Sequence, residues 1–313
     1  MTTFEPSYLR AYGNGLLKEK AAEAVNLLES CTLCPRKCGV NRLAGETGYC
    51  RTGKRAWVSS FSPHFGEEEP LVGEHGSGTI FFTHCNLLCV FCQNFDISHQ
   101  GEGQEVAVGE LAGMMLSLQN QGCHNINFVT PSHVVPQILD AVQVAVKNGL
   151  KVPLVFNSGG YDRVATLKLL DGIFDIYMPD FKFWDSQIAA NSCQAGDYPE
   201  VTRKALVEMH RQVGDLQIDA VGIARRGLLI RHLVLPGGLA GTREVMRFIA
   251  RKISTASYVN VMSQYRPCGR AAEVEGLEVP LSAEEYKLAL REAKGEGINR
   301  LNQPRRRFVF RQL

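Results

Sequence analysis

Three cysteines, Cys85, Cys89 and Cys92, stand in one short stretch with the spacing C-x3-C-x2-C. Thiolates three and four residues apart can curl round one small inorganic body. Three is an odd number for a closed site. A structural zinc takes four ligands, and an ordinary ferredoxin cluster takes four cysteines. A cradle of three leaves one iron of a cubane with a free position. The alternative is a zinc ion that borrows a fourth ligand such as His84.

A second set lies upstream. Cys31, Cys34, Cys38 and Cys50 follow the pattern C-x2-C-x3-C-x11-C. Gly39, Gly45, Gly48 and Gly53 let the backbone wrap a metal closely. Four sulfurs close a coordination sphere, as in a structural zinc knuckle or an auxiliary 4Fe–4S cluster; spacing does not choose between them. Of the remaining cysteines, Cys123 precedes an expected strand and reads as a small buried thiol. Cys193 reads as a loop residue, and Cys268 falls near the expected active face.

Composition narrows the setting. The chain has 313 residues, 45% of them hydrophobic, enough for one large core and a small appendage. With 34 basic and 32 acidic residues, charge makes no case for a nucleic-acid partner. The basic run Pro304-Arg305-Arg306-Arg307 reads as a solvated terminus. No apolar run approaches the roughly 20 residues of a membrane span. The first residues lack a basic segment followed by an apolar one, so no signal peptide is expected. Ten cysteines without a secretion signal point to metal ligation in a reducing compartment. The expectation is a soluble, cytoplasmic, oxygen-sensitive metalloprotein.

The elements that must hold these cysteines can be read from periodicity. A helical stripe over residues 15–30 delivers the chain into the four-cysteine motif. Residues 57–74 read as a connector broken by Pro63, Gly66, Pro70 and Gly73, with Glu67, Glu68 and Glu69 as a solvated run. Apolar strands are expected at 79–82, 125–130, 152–156, 173–178, 228–235 and 258–262, each followed by a helical segment. The last of these helices opens on a Ser282–Glu285 capping box. Six alternating units imply a parallel sheet covered by helices. Chemistry then belongs at the C-terminal ends of the strands. The three-cysteine loop is there, as are Thr130-Pro-Ser-His133, Asn157-Ser-Gly-Gly-Tyr161 and Pro179-Asp-Phe-Lys182. Asp180 and Lys182 stand out, because a charged pair at the lip of a buried strand must be paired or used. Three parts are expected: 1–60 with the helix and four-cysteine motif, 61–270 as the core, and 271–313 as a helix and tail.

The cysteine spacing, with Phe91 just before the last cysteine, resembles the signature of the radical S-adenosylmethionine (radical SAM) superfamily. Gly76-Ser-Gly78, Gln93-Asn94, Asn157-Ser-Gly-Gly-Tyr161, Met178-Pro-Asp-Phe-Lys182 and Val234-Leu-Pro-Gly237 bring it nearer to the pyruvate formate-lyase activating enzymes. The best fit is a branch with extra N-terminal cysteines. The resemblance implies an α/β fold, a partial (β/α)6 TIM-like radical SAM barrel with a small N-terminal Cys-rich extension. It implies a 4Fe–4S cluster on Cys85, Cys89 and Cys92, whose free iron binds S-adenosylmethionine. Phe91 and Gln93 would flank the adenine. Asn157, Ser158 and Gly159 would meet the ribose and carboxylate, and Asp180 and Lys182 would face cofactor and substrate. The family's Gly-Gly-Glu run is replaced by Thr130-Pro-Ser-His133, where Ser132 can supply a contact. Its histidine at the sixth strand is replaced by Tyr265-Arg266, where Arg266 can pair with the cofactor's carboxylate. The implied chemistry is one-electron cleavage of the sulfonium to methionine and a 5′-deoxyadenosyl radical. The implied substrate is a glycine Cα–H of a glycyl radical enzyme or another protein or peptide, with a reductant such as flavodoxin or ferredoxin. The alternatives are a small molecule or tRNA as substrate, or an iron–sulfur carrier.

Overall fold

The computed structural model describes residues 4–302. The run Pro304–Arg307 lies outside the described residues. The strands in chain order are β1 (Ala56–His64), β2 (Ser77–Phe82), β3 (Gln104–Val106), β4 (Ile126–Val129) and β5 (Leu154–Ser158). They continue as β6 (Ile176–Pro179), β7 (Gln217–Ile218), β8 (Ala224–Leu233), β9 (Tyr258–Met262) and β10 (Arg300–Leu301). The helices begin with α1 (Ser7–Gly13), α2 (Leu16–Asn26), α3 (Glu69–Val72), α4 (Val108–Asn120) and α5 (Val135–Lys147). They end with α6 (Val164–Leu169), α7 (Ser186–Cys193), α8 (Tyr198–Val213), α9 (Thr242–Phe248) and α10 (Ala283–Gly295).

The six expected strands are β2, β4, β5, β6, β8 and β9, parallel and adjacent in that order. Each leads into a helix, so six strand–helix units build the body of the protein. Alternation along each strand sorts the side chains. Ile80, Phe128, Phe156, Tyr177 and Ile230 pack against the helices. Val155, Ile176, Met178 and Leu229 point the other way, into an inner core shared with Leu71 and Leu216.

The sheet curls. Six inter-strand steps separate β1 from β9, about 29 Å if the sheet were flat. Yet Glu68, just past β1, accepts a hydrogen bond of 2.7 Å from Asn260 on β9. The sheet is therefore a partial barrel, as expected. Its sides are bridged by the segment from Glu67 through α3.

That segment corrects the connector reading. Residues 56–64 form β1, antiparallel to β2, with β3 paired to its first three residues. Pro63 is tolerated because β1 has no partner on that side beyond Val58. A register shift between Val58 and Ser60 hid the alternation. Nor is the acidic run solvated as a whole: Glu68 is buried and bonded to Asn260, and Leu71 lies in the inner core. The expected boundary at residue 60 falls inside β1.

Two further readings change. The stripe over 15–30 is α2, preceded by α1, and Gly15 between them takes a φ of 83°. Both helices join the main core through Tyr8, Ala11, Leu17, Ala21 and Ala24. Cys193 is the last residue of α7 and buried, not a loop residue. Cys123 is buried as expected. Among the described residues, no helix is long and apolar enough to cross a membrane.

Candidate functional site

The three-cysteine loop leaves the C-terminal end of β2. Thr83 fixes its root: the amide donates to the Trp57 carbonyl and the hydroxyl to that of Glu102, both at 2.9 Å. His84 and Leu88 take φ values of 69° and 54°, a left-handed conformation that costs a non-glycine residue about 1–3 kcal/mol. With these turns all three cysteines face one cleft. The Leu87 amide donates to Cys85 Sγ at 3.3 Å, and Ser98 Oγ to Cys92 Sγ at 3.2 Å. Burial pushes the Cys85 thiol up to about 12 and raises that of Cys92. Cys89 is raised further, by a hydrogen bond with the Cys193 thiol and then by burial. Thiols held this way ionise only against a cation.

The cleft has a volume of about 380 Å³ and runs along the strand ends. Of the expected site residues, Phe91, Gln93, Asn157, Ser158, Gly159, Asp180 and Lys182 line it beside the cysteines. Two expected residues do not. Ser132 is buried behind the strand-end loops, where its hydroxyl donates to Asp162 at 2.6 Å. Arg266 is exposed and does not reach the cleft wall. Thr130, with a φ of 62°, represents the second strand end instead.

The charged lining residues not expected at the site include Arg231 and Glu67. Arg231 is the hub. Its guanidinium donates to Asp180 Oδ1 at 2.8 Å and to Asn157 Oδ1 at 2.6 Å, and lies 3.8 Å from Glu67. Lys182 Nζ donates to the other Asp180 oxygen at 2.5 Å. Burial pushes the Asp180 carboxyl up, but Arg231 and Lys182 outweigh it and hold it below its ordinary value. Burial disfavours the charge on Lys182 too, and Asp180 and Cys89 more than restore it. The wall thus carries fixed, paired charge in the same cleft as the thiols. The signal for Arg231 was a lone arginine inside the apolar run 228–235.

Asp162 holds two strand-end loops together. Its carboxylate accepts from Ser132 and from Ser158. Burial pushes it up to about 6.

The four upstream cysteines, Cys31, Cys34, Cys38 and Cys50, line one small cavity of their own, with His133. The Tyr49 amide donates to Cys38 Sγ at 3.4 Å. A side chain at Gly48 would meet that sulfur at 2.7 Å, so only glycine lets the loop close here. Burial pushes Cys34 up to about 12 and raises Cys50. The loop is tied to the barrel: Arg163 and Thr166 bond the Thr32 and Leu33 carbonyls, and Arg42 bonds those of Gly53 and His133.

Among the described residues, no three or more His, Cys, Asp or Glu side chains gather tightly enough to hold a single metal ion. Fit to a cluster rests on the donors themselves. Each set consists of soft thiols round a shared cavity, with N–H and O–H groups aimed at sulfur. That is the environment which holds and tunes iron–sulfur clusters. A three-thiol set suits a cluster with one open iron, and a four-thiol set suits a closed site.

No family model matches the chain. Among solved structures it is similar to a radical SAM methyltransferase from Sphaerobacter thermophilus. That likeness has a TM-score of 0.46 and 12% identity, over 70% of this chain and 64% of the other. It is 33% identical over 285 residues to the uncharacterized protein MJ0674 of Methanocaldococcus jannaschii. The match spans 88% of this chain and 77% of that protein, and the chain belongs to the same family as MJ0674.

Proposed function

We propose that this protein is a radical SAM enzyme, with a 4Fe–4S cluster on Cys85, Cys89 and Cys92 and S-adenosylmethionine in the adjoining cleft. One observation carries the reading. Three thiols in one loop, Cys89 buried and Cys85 and Cys92 half-buried, stand at the end of the first parallel strand and open on a cleft lined by the ends of the other strands. When bound, the pair supplies one-electron cleavage of a sulfonium bond and a carbon radical that removes hydrogen from a substrate. The chain's own residues bind and orient. Lys182 and Arg231 are fixed cations that can receive carboxylate groups of cofactor or substrate. Phe91, buried against Phe183 and Tyr265, offers an apolar ring edge beside the cysteines. Asn157, also in the cleft lining, is held by the hydrogen bond its side-chain oxygen accepts from Arg231.

For the substrate we carry forward a glycine of a glycyl radical enzyme or a similar peptide. This rests on motif likeness, and on the ease with which a residue without a side chain is threaded into a narrow cleft. A flavodoxin or ferredoxin would supply the electron. One observation favours a second substrate class. The segment from Glu67 through α3 bridges the open side of the barrel with buried contacts. A cleft walled on that side suits a small molecule better than a folded partner's loop.

The test is direct. Full-length protein, reconstituted anaerobically with iron and sulfide and then reduced, should release 5′-deoxyadenosine from S-adenosylmethionine, and Cys89→Ala should not. If the reduced wild type releases none, the radical reading fails. Deuterium transfer into 5′-deoxyadenosine from a size-fractionated, deuterated extract separates the substrate classes. Label from the small-molecule fraction favours the second.

A further inference from the structure

Arg36 sits between Cys34 and Cys38, yet its side chain leaves its own loop. Nε donates to the Asn86 carbonyl at 3.0 Å and one terminal nitrogen to that of Leu87 at 3.4 Å. The same nitrogen donates to the Cys193 carbonyl at 2.8 Å, and the other donates to that of Gln194. Asn86 and Leu87 lie between Cys85 and Cys89 in the three-cysteine loop. Cys193 and Gln194 end α7, and the Cys193 thiol, which donates to the Ala189 carbonyl at 3.0 Å, lies near enough to Cys89 to raise its pKa. One guanidinium from the first cysteine set therefore grips both elements that shape the second.

The grip is itself placed by the first set. The guanidinium lies 3.8 Å from the centre of the Tyr49 ring and 5.2 Å from that of Tyr161. Tyr49 adjoins Cys50, and its amide is bonded to Cys38 Sγ. Tyr161 accepts at its carbonyl from Asn86 Nδ2 at 2.8 Å. Lys37, the next residue, takes a φ of 43°, which turns the chain sharply into Cys38. So Cys38 and Cys50 set both the turn that launches Arg36 and the ring on which it rests.

We propose that Arg36 is a positioning residue that makes the shape of the three-cysteine loop depend on the metal held by the four-cysteine loop. With the first metal in place, Arg36 is fixed and the carbonyls of Asn86, Leu87, Cys193 and Gln194 are satisfied. Without it, the turn between Cys34 and Cys38 is free and those carbonyls lose their fork. The fork is specific to arginine: a lysine offers one nitrogen and cannot bridge two elements with planar geometry. The four-cysteine site then acts as a checkpoint on assembly of the catalytic cradle. This rests on the reading of both cysteine sets as metal sites.

The experiment follows iron. Full-length wild type, Arg36→Lys, Arg36→Met, Cys38→Ala and the Arg36→Met/Cys38→Ala double variant are reconstituted anaerobically. Iron release to a coloured chelator is timed in each. A Cys85→Ala/Cys89→Ala/Cys92→Ala variant reports the first site alone, so that the second is obtained by difference. Circular dichroism checks that each variant is folded. Both Arg36 variants should keep first-site metal and lose second-site iron about tenfold faster than wild type, the scale of outer-shell changes at metal sites. Cys38→Ala should speed that loss as well, and the double variant should be no faster than the faster single one. Wild-type release rates in both Arg36 variants would overturn the proposal. So would effects of Arg36→Met and Cys38→Ala that multiply. If the wild type retains no iron at the second site, the reading of that site as a cluster cradle falls first, and this inference with it.

Discussion

Asp180 sits between two cations, Lys182 at 2.5 Å and Arg231 at 2.8 Å, on a wall with little access to water. Replacing one member of such a group leaves the others buried and uncompensated, at a cost of about 3–5 kcal/mol. Asp180→Asn should therefore lower stability by that order, measured as a shift in the denaturant midpoint. Asp180→Asn/Lys182→Met should recover part of the loss, because it removes one of the stranded charges. Equal stability of Asp180→Asn and wild type would mean that water reaches the pair freely. Asp180 and Lys182 could be singled out in the sequence because two charges flank a buried strand end. Arg231 could not be placed the same way. Its strand reads as apolar, and only the alternation of β8 turns it inwards to meet Asp180. Ser132 and Arg266 went astray for a related reason. Both follow strand ends in irregular backbone, where no period says which way a side chain faces. Asp162, buried in the next loop, captured Ser132.

At the scale of elements, the parallel strands were readable because each is a short apolar run closed by a turn signal. Their packing on both faces leaves little room for polar residues. β1 was not readable, since a bulge and Pro63 break its alternation. The bridging segment that follows carries three consecutive acids, ordinarily a sign of solvent. Two of them instead meet Asn260 and Arg231, and Leu71 three residues on anchors the segment in the inner core. The Leu71 carbonyl also accepts from Asn125 at 2.9 Å. Leu71→Ala should cost about 2–5 kcal/mol through the lost contacts and the cavity left behind. It should also loosen this segment before the rest of the barrel. Hydrogen exchange over residues 65–76 should quicken while exchange in β5 and β6 holds. Uniform quickening would mean that the segment unfolds only with the whole sheet.

At the scale of the whole molecule, Asp162, Asp175, His133 and His232 are buried outside the cleft wall and pull stability in opposite directions with pH. Burial pushes Asp162 and Asp175 up to about 6. Burial pushes His133 down to about 3 and His232 down to about 4. Between pH 4 and 6 the folded chain holds protons on the two aspartates that the unfolded chain has released. Each aspartate therefore makes stability fall as pH rises, by about 1.4 kcal/mol per pH unit. Over the same range the unfolded chain protonates the two histidines while the folded chain keeps them neutral. Each histidine therefore makes stability rise with pH by the same amount. The four contributions nearly cancel, so this set leaves the fold insensitive to acid in that window. Single substitutions should uncover the opposing slopes. Asp162→Asn should lose stability relative to wild type as pH falls from 6 to 4. His232→Gln, which removes a ring bonded to the Phe181 carbonyl and to Thr242, should lose it as pH rises from 4 to 6. Denaturant midpoints at pH 4, 5 and 6 for the three proteins read both slopes against wild type, so the remaining groups drop out of the difference. Slopes of the same sign in the two variants would contradict the assignment of a protonated carboxyl at one site and a neutral imidazole at the other.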